Sequence, residues 1–329
     1  NFELSNSFSV IGAKIENSIS RLHWILQPKA LYKLLRNYTG VVHAHLPRAE
    51  LFVSVACKKH NFITTRHNAE KFFPKSPMFI SVWMSRFVSK RAFTTICISN
   101  AVKEYYNLNN EIIGRCVVIY YGADFSNYDH TKQSRINLHE FPPKAKIILS
   151  VARLEAQKDL QTLLKSFAKV SSNNEVVLLI VGSGSEEINL RNYAKALDID
   201  KEVYFLGQRS NLDELYASAD VFVLTSKYEG FGLVLLEAMQ SKIPIVASNN
   251  TAIPEVLGES HPGLCQTGNY LEFATKIIQM FSSSNRDSVV TYQNLQLKKF
   301  DIENTAKEHM SCYLDMKKDR KSTRLNSSH

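Results

Sequence analysis

The sequence predicts an α/β protein built from two doubly wound parallel sheets facing a cleft, and three observations carry that expectation. Short β-branched and aliphatic runs recur at residues 41–45, 61–65, 93–99, 116–120, 147–151, 176–181, 203–206, 221–225 and 243–248. Continuous apolar runs of this length suit strands covered on both faces. Segments of helical period lie between them, at 49–59, 77–91, 100–106, 159–171, 186–197, 212–219 and 231–240. Alternating strands and helices stack into layered α/β architecture. The alternation breaks once, where the polar stretch 127–144 carries Phe141-Pro142-Pro143 and has the composition of an inter-domain linker.

Length and composition agree with two domains. A chain of 329 residues is long for one ordinary core. With 44% hydrophobic and 22% charged residues it is neither disordered nor membrane-spanning in composition. No run approaches the ~20 apolar residues of a transmembrane helix. Cys57, Cys97, Cys116, Cys265 and Cys312 are scattered without a C-x-x-C pair. That spacing argues against a metal cluster or disulfide framework and for a reducing, cytoplasmic setting. The expected division is 1–140 and 141–300, with 301–318 as a terminal helix. Residues 319–329 (DRKSTRLNSSH) resemble a translated adapter and are set aside from fold reasoning. The chain begins at Asn1, so a first strand is expected upstream of it.

Charge divides unevenly. Residues 1–142 carry 18 Lys/Arg against 9 Asp/Glu, a net of +9, while residues 143–318 carry 19 against 21, a net of −2. A basic half favours an anionic partner such as a membrane surface, or serves solubility alone. Within it, residues 77–91 mix Phe79, Ile80, Trp83, Met84 and Phe87 with Arg86, Lys90 and Arg91. Such a helix can lie in a membrane interface, and the simpler expectation is a domain helix packing its apolar face on the sheet. No nucleic-acid partner is expected.

The segment YEGFGLVLLEAM, from Tyr228 to Met239, follows a strand and opens a helix. Gly230 and Gly232 permit close backbone approach there. The amides of Phe231, Gly232, Leu233 and Val234 would make the helix start an anion site suited to a diphosphate. Glu229 and Glu237 stand eight residues apart, about 12 Å along a helix axis. Carboxylates accept hydrogen bonds from vicinal hydroxyls, so such a pair can grip a nucleotide sugar at both ends; an amphipathic helix with one acidic residue at its start has the same spacing. Arg153 and Lys158 follow a strand end in SVARLEAQKDL, where a parallel sheet binds ligands. Cations at that edge can neutralise a leaving diphosphate. Gly182 and Gly184 form a tight turn without the third glycine of the dinucleotide fingerprint. Asp198-Ile199-Asp200 matches a metal-binding D-x-D but lies in a polar turn, and no metal is expected. In the first half, His43, His45 and His67, with Arg66 and Asn68 beside the last, fall at strand ends and suggest a polar site facing the cleft.

Taken together these residues resemble glycosyltransferase family 4, the group 1 retaining enzymes of GT-B fold with two Rossmann-like domains, over roughly residues 41–317. The resemblance rests on Arg153 and Lys158 in RLEAQK, the E-x7-E of EGFGLVLLEAM, the V-G-x-G of Val181–Gly184 and the P-E-V of Pro254–Val256. HAHL (His43–Leu46), TTRHN (Thr64–Asn68) and YYGAD (Tyr120–Asp124) resemble looser acceptor-domain landmarks. It implies that Glu229 contacts the transferred sugar, Glu237 holds the ribose, and Arg153 and Lys158 bind the diphosphate. Gly207 and Arg209 would border the base, and His67 would sit between sugar and acceptor. The implied reaction is metal-independent hexosyl transfer from a UDP- or GDP-type sugar, with no cofactor and with configuration retained. The acceptor would be a glycan or lipid-linked sugar of cell-surface polysaccharide, lipopolysaccharide or glycolipid synthesis, met in the cytoplasm or at the inner membrane face. The family's glycine-rich loop after its first strand is absent, Thr251-Ala252-Ile253 replaces the glycine pair that usually precedes P-E-V, and Tyr121 stands where Asn is common. Alternatives within reach of the same fold are a nucleotide-sugar 2-epimerase and a truncated nucleotide-binding relic.

Overall fold

The computed structural model describes residues 40–124 and 145–326, apart from 58, 59 and 211, and isolated positions between 32 and 38. The expected linker at 127–144 lies outside the described residues. The first sheet has four strands in the order β1 (His43–His45), β2 (Ile63–Arg66), β3 (Thr94–Cys97) and β4 (Cys116–Val118), all parallel. Their connections carry α1 (Pro47–Ala56), α2 (Met78–Arg91) and α3 (Asn100–Leu108).

The second sheet is larger. Its strands are β5 (Lys146–Val151), β6 (Val176–Val181), β7 (Val203–Gly207), β8 (Val221–Leu224), β9 (Ile245–Ser248) and β10 (Leu264–Cys265). They lie in the order β10-β9-β8-β5-β6-β7, again all parallel. A short 3-10 turn (Ala156–Lys158) precedes α4 (Leu160–Ser171). There follow α5 (Glu187–Ala196), α6 (Leu212–Ser218), α7 (Leu233–Gln240), α8 (Ile253–Leu257), α9 (Tyr270–Met280), α10 (Ser283–Leu297) and α11 (Ile302–Asn326).

Side-chain alternation divides this second core. Ile147, Leu149, Val177 and Leu179 pack on one face, and Ile148, Val176, Leu178 and Ile180 on the other, as period-2 strands require. α4 adds Leu160, Leu163, Leu164, Phe167 and Val170 to the latter face. That is the apolar stripe expected of a helix covering a sheet.

α2 reverses the expectation of an apolar inner face. Its buried residues are Ser81, Ser85, Val88 and Ser89, whereas Phe79 and Trp83 are 74% and 64% exposed. The cause is polar material behind the helix. Ser85 Oγ accepts from Arg66 Nη2 at 3.2 Å, Ser81 Oγ from Phe73 N at 3.0 Å, and Ser89 Oγ from Ile113 N at 2.9 Å. Buried donors require acceptors, and the serines supply them.

On the opposite face of the first sheet, α11 brings Cys312 and Met316 against Ile63, Ile96 and Ile119. It runs on past the expected end near Lys317 to Asn326, since the polar residues that follow contain neither Gly nor Pro to stop a helix. The chain leaves the first sheet at Ala123 and returns beside it. Ala123 N donates to Phe300 O at 2.8 Å, and Ile302 N to Ala123 O at 3.2 Å.

The two sheets meet through close contacts. Ser99 Oγ donates to Gly230 O at 2.7 Å. Glu255, from α8, accepts from the backbone N–H groups of Asn100 (2.7 Å) and Ala101 (3.2 Å) and from the Tyr120 hydroxyl (2.7 Å). A carboxylate at the start of α3 satisfies orphan amides and complements the helix dipole.

Candidate active site

Strand order in the second sheet reverses between β5 and β8, so the segments leaving their carboxyl ends diverge and open a crevice. A cleft of about 420 Å³ lies there, with Arg153 and Lys158 after β5, Gly182 and Ser183 after β6, Gln208 and Arg209 after β7, and Val234 at the start of α7. Gly182 is indispensable to this geometry. It has φ of 132°, and a Cβ would lie 1.9 Å from Ala152 O. Its amide donates to Gly207 O at 2.8 Å, tying the ends of β6 and β7 together. Gly184 is packed as tightly, with a Cβ position 2.3 Å from Leu154 O.

Lys158 and Glu229, read from the sequence as separate contacts for phosphate and sugar, form one ion pair. Lys158 Nζ lies 2.6 Å from Glu229 Oε1, with side chains only 12% and 8% exposed. Ser226 Oγ donates to the same oxygen at 2.6 Å, and Glu229 N donates to Thr251 Oγ1 at 2.9 Å. Lys158 belongs to the segment after β5 and Glu229 to that after β8, so the pair bridges the switch point. Thr251 holds φ of 46°, a left-handed backbone that glycine adopts more easily.

The helix after Glu229 begins later than residue 231. α7 starts at Leu233, with Gly232 as a left-handed N-cap. Glu237 stands four positions after Leu233, about 6 Å of rise, so the two glutamates are not spaced along one helix axis. Glu237 lies one turn beyond Val234, on the same helix face. It accepts from the Tyr216 hydroxyl at 2.7 Å. Gly230 and the Phe231 side chain serve the contact between the two sheets. A Cβ on Gly230 would stand 2.1 Å from His67 O, so its bareness admits the first domain's backbone. The Phe231 side chain is buried, edge-on to Tyr121 and Phe300 with ring centroids 5.5 Å away in each case.

At the facing edge of the first sheet, the proposed polar residues separate into two groups. His45 and His67 form a chain: His45 Nδ1 lies 3.1 Å from His67 Nε2, and His67 Nδ1 meets the Tyr121 hydroxyl. Burial, with His45 and Arg66 nearby, lowers the His67 pKa to about 4. The ring is neutral at physiological pH, with one donor and one acceptor nitrogen. His43 bonds elsewhere, its two nitrogens engaged by Tyr313 Oη (2.8 Å) and Thr65 Oγ1 (2.7 Å), and it is held near pKa 3 chiefly by burial. It ties α11 to the sheet and presents neither nitrogen to an acceptor.

Arg66 is a core residue, contrary to its expected place in the acceptor site. It is 2% exposed, ion-paired to buried Glu50 at 2.7 Å, and lies over the Phe72 ring at 4.0 Å. Its side chain points to the opposite side of β2 from a cleft residue. Asn68 is exposed and donates to Glu70 Oε1 at 2.8 Å. Sequence reasoning missed Ser226 and Tyr216, and it quoted Glu255 within P-E-V without giving it the crossing contact. Tyr121 and Thr251 had a visible signal as departures from the family pattern. Among the described residues no group of three or more His, Cys, Asp or Glu could hold a metal ion. No described helix is long and apolar enough to cross a membrane.

Comparison with known proteins places this geometry. The model of glycosyl transferases group 1 matches residues 131–295, half of the chain, and that of glycosyltransferase family 4 matches residues 9–127. The chain belongs to the group 1 glycosyltransferases. Among its relatives, the N-acetyl-alpha-D-glucosaminyl L-malate synthase of Bacillus anthracis is 31% identical over 183 residues, 55% of this chain and 48% of that protein. The UDP-Gal:alpha-D-GlcNAc-diphosphoundecaprenol alpha-1,3-galactosyltransferase of Escherichia coli is 26% identical, over 67% of this chain and 60% of that protein. The chain thus spans about half the length of the first curated relatives it matches. Anabaena Alr3699/HepE, crystallised with UDP and glucose, shares the fold at a TM-score of 0.75 and 20% identity, over 90% of this chain and 83% of that one.

Proposed function

We propose that this group 1 glycosyltransferase moves a hexose from a UDP- or GDP-type sugar to a glycan or lipid-linked acceptor, with retention of configuration. The observation that carries the reading is the switch-point cleft, where Arg153, Lys158 and Arg209 converge on apolar walls. Three cations over such a floor suit a nucleoside diphosphate. As the bond from the anomeric carbon to the diphosphate breaks, negative charge grows on the leaving oxygen. Arg153 and Lys158 stabilise it there, and the departing phosphate takes the acceptor hydroxyl's proton on the same face of the sugar. Glu229, oriented by Lys158, Ser226 and Thr251, accepts hydrogen bonds from sugar hydroxyls. Glu237 receives the ribose. His67 is fixed by Tyr121 and His45 as a neutral ring on the acceptor side, and its Nε2 reaches an acceptor hydroxyl by exchanging the bond to His45 for it. The galactosyltransferase relative names a diphosphoundecaprenol-linked acceptor, which supports a lipid-linked substrate here and synthesis of cell-surface polysaccharide or glycolipid.

The test is a thermal-shift screen of UDP, GDP, ADP and CDP with EDTA present. A ligand at 100 times its dissociation constant raises stability by about 2.7 kcal/mol. One diphosphate is expected to stabilise the protein, with the effect lost in Glu237→Ala. A flat response to all four, from protein that melts cooperatively, overturns the donor reading. Proton NMR of a product formed from the matching nucleotide sugar then reports the anomeric configuration, and inversion would refute the retaining step.

A further inference from the structure

We propose that Glu255 is a positioning residue that fixes the separation of Glu229 and His67, a role that rests on the reading of those two as flanking the transferred sugar. No step assigned to the cleft uses the acid of the P-E-V turn, yet its carboxylate is fully engaged. Oε1 accepts from Asn100 N (2.7 Å), Asn100 Nδ2 (2.6 Å) and the Tyr120 hydroxyl (2.7 Å), and Oε2 accepts from Ala101 N (3.2 Å). All four donors belong to the first domain, while Glu255 stands on α8 of the second.

Three contacts carry that grip to the site. On the first domain, Tyr121 follows Tyr120 in the chain. Its ring stacks on that of His67 with centroids 6.1 Å apart, and its hydroxyl meets His67 Nδ1. On the second domain, Thr251 stands one turn before Glu255, and its Oγ1 accepts from Glu229 N at 2.9 Å. Val256 N donates to Ala252 O at 3.0 Å and closes the turn between them. Ser99 joins the two sides. It caps α3 by accepting from Val102 N at 3.1 Å and donates to Gly230 O, next to Glu229, at 2.7 Å. The start of α3 is thus bonded both to the turn that bears Glu229 and to the helix that braces it.

Asn100 is exposed, so water can take the place of the carboxylate at the α3 amides. Loss of Glu255 therefore loosens the crossing without unfolding either sheet. What water cannot supply is a fixed distance between two reacting partners, and small misplacements of such partners are costly in rate. Glu229 and His67 would each keep their own bonds and drift relative to one another.

The experiment compares the whole chain with Glu255→Ala, Glu255→Gln and Tyr120→Phe. Nitrogen NMR follows the His67 ring, assigned with His67→Gln. Burial, with His45 and Arg66 nearby, holds its pKa near 4 against an ordinary 6.5. Glu255→Ala is expected to move that value toward 6.5 as the edges part. Glu255→Gln, which keeps an acceptor for Asn100 N, should move it less, and Tyr120→Phe should move it in the same direction. In these variants the diphosphate that stabilises the parent should bind as before by calorimetry, because Arg153, Lys158 and Glu237 keep their places. For the matching nucleotide sugar, kcat should fall about tenfold to a hundredfold at constant KM. An unmoved His67 titration in a folded Glu255→Ala protein overturns the proposal. Equal losses of nucleotide affinity and kcat also overturn it, since they make Glu255 a support of the donor cleft alone. Should no diphosphate bind the parent, the donor reading fails by itself, and the His67 titration still decides whether Glu255 sets the separation. Should Glu255→Ala fail to fold, Glu255→Gln and Tyr120→Phe carry the same comparison.

Discussion

The two strand edges that meet at Gly230, His67 and Ser99 are built from opposite chemistry. The edge of the second sheet carries formal charge: Arg153 and Arg209 line the cleft, and Lys158 is locked to Glu229. The edge of the first sheet carries rings kept neutral by burial, His45 and His67 linked to Tyr121. Charge suits the holding of a polyanion. A neutral chain of hydrogen bonds exerts no such pull on a polyanion and suits uncharged hydroxyls instead.

The largest expected effect tests the charged edge. Lys158→Met leaves Glu229 buried with Ser226 as its remaining side-chain donor, and loss of one partner of a buried pair costs about 3 kcal/mol. Chemical denaturation should show that loss, and the nucleotide-induced thermal shift should vanish with it. Unchanged stability would mean that the pair is dispensable.

Gly230→Ala tests the contact between the edges. The new methyl must displace the His67 carbonyl, a strain of about 1–3 kcal/mol. Small-angle scattering should report a more open molecule with each sheet's secondary structure intact.

Acidification addresses the neutral edge. His43 titrates near 3 in the folded chain against 6.5 unfolded, so below pH 6.5 the unfolded chain takes up a proton that the folded one refuses. Its contribution to stability is complete above 6.5 and declines as pH falls toward 3. Between pH 6.5 and 5 the loss is about 1–2 kcal/mol. His67, more solvent-screened, adds less, and His261, lowered to about 4 by burial in the second domain, steepens the same slope. Urea midpoints measured across this range should drop less in His43→Gln. Equal slopes would remove His43 from the account.

Thr251→Gly should change least. It releases a left-handed residue but deletes a hydrogen bond, two terms of about 1 kcal/mol each and opposite sign. The melting temperature should hold while nucleotide affinity, by calorimetry, falls a few-fold through a loosened Glu229.

Much of the second domain was legible because its signals are local. The run Val176–Val181 is apolar at every position and fully buried, and α4 shows its stripe in periodicity alone. β10 is two residues long, too short for any pattern. α9 and α10 fell outside the expected elements although Asn269 caps the former through Glu272 N. Site residues on turns were visible when a turn demanded glycine, as at Gly182. Partners that meet only through the fold were not: nothing near Lys158 announces Glu229, and Arg66 beside a histidine carries no sign that its side chain goes to the opposite side of the strand. α2 misled for the same reason. Periodicity records where apolar residues stand on a helix but not which face a buried arginine will claim.

The packing of α11 also bears on the order in which the molecule can be completed. During synthesis the strands of the first sheet emerge early, yet the face presented by Ile63, Ile96 and Ile119 waits for Cys312 and Met316. The 160 residues 141–300 of the second domain must leave the ribosome in between, and domains generally fold as units as they emerge. The first sheet, made before the second, is therefore finished after it, with an apolar face in need of shelter until α11 arrives.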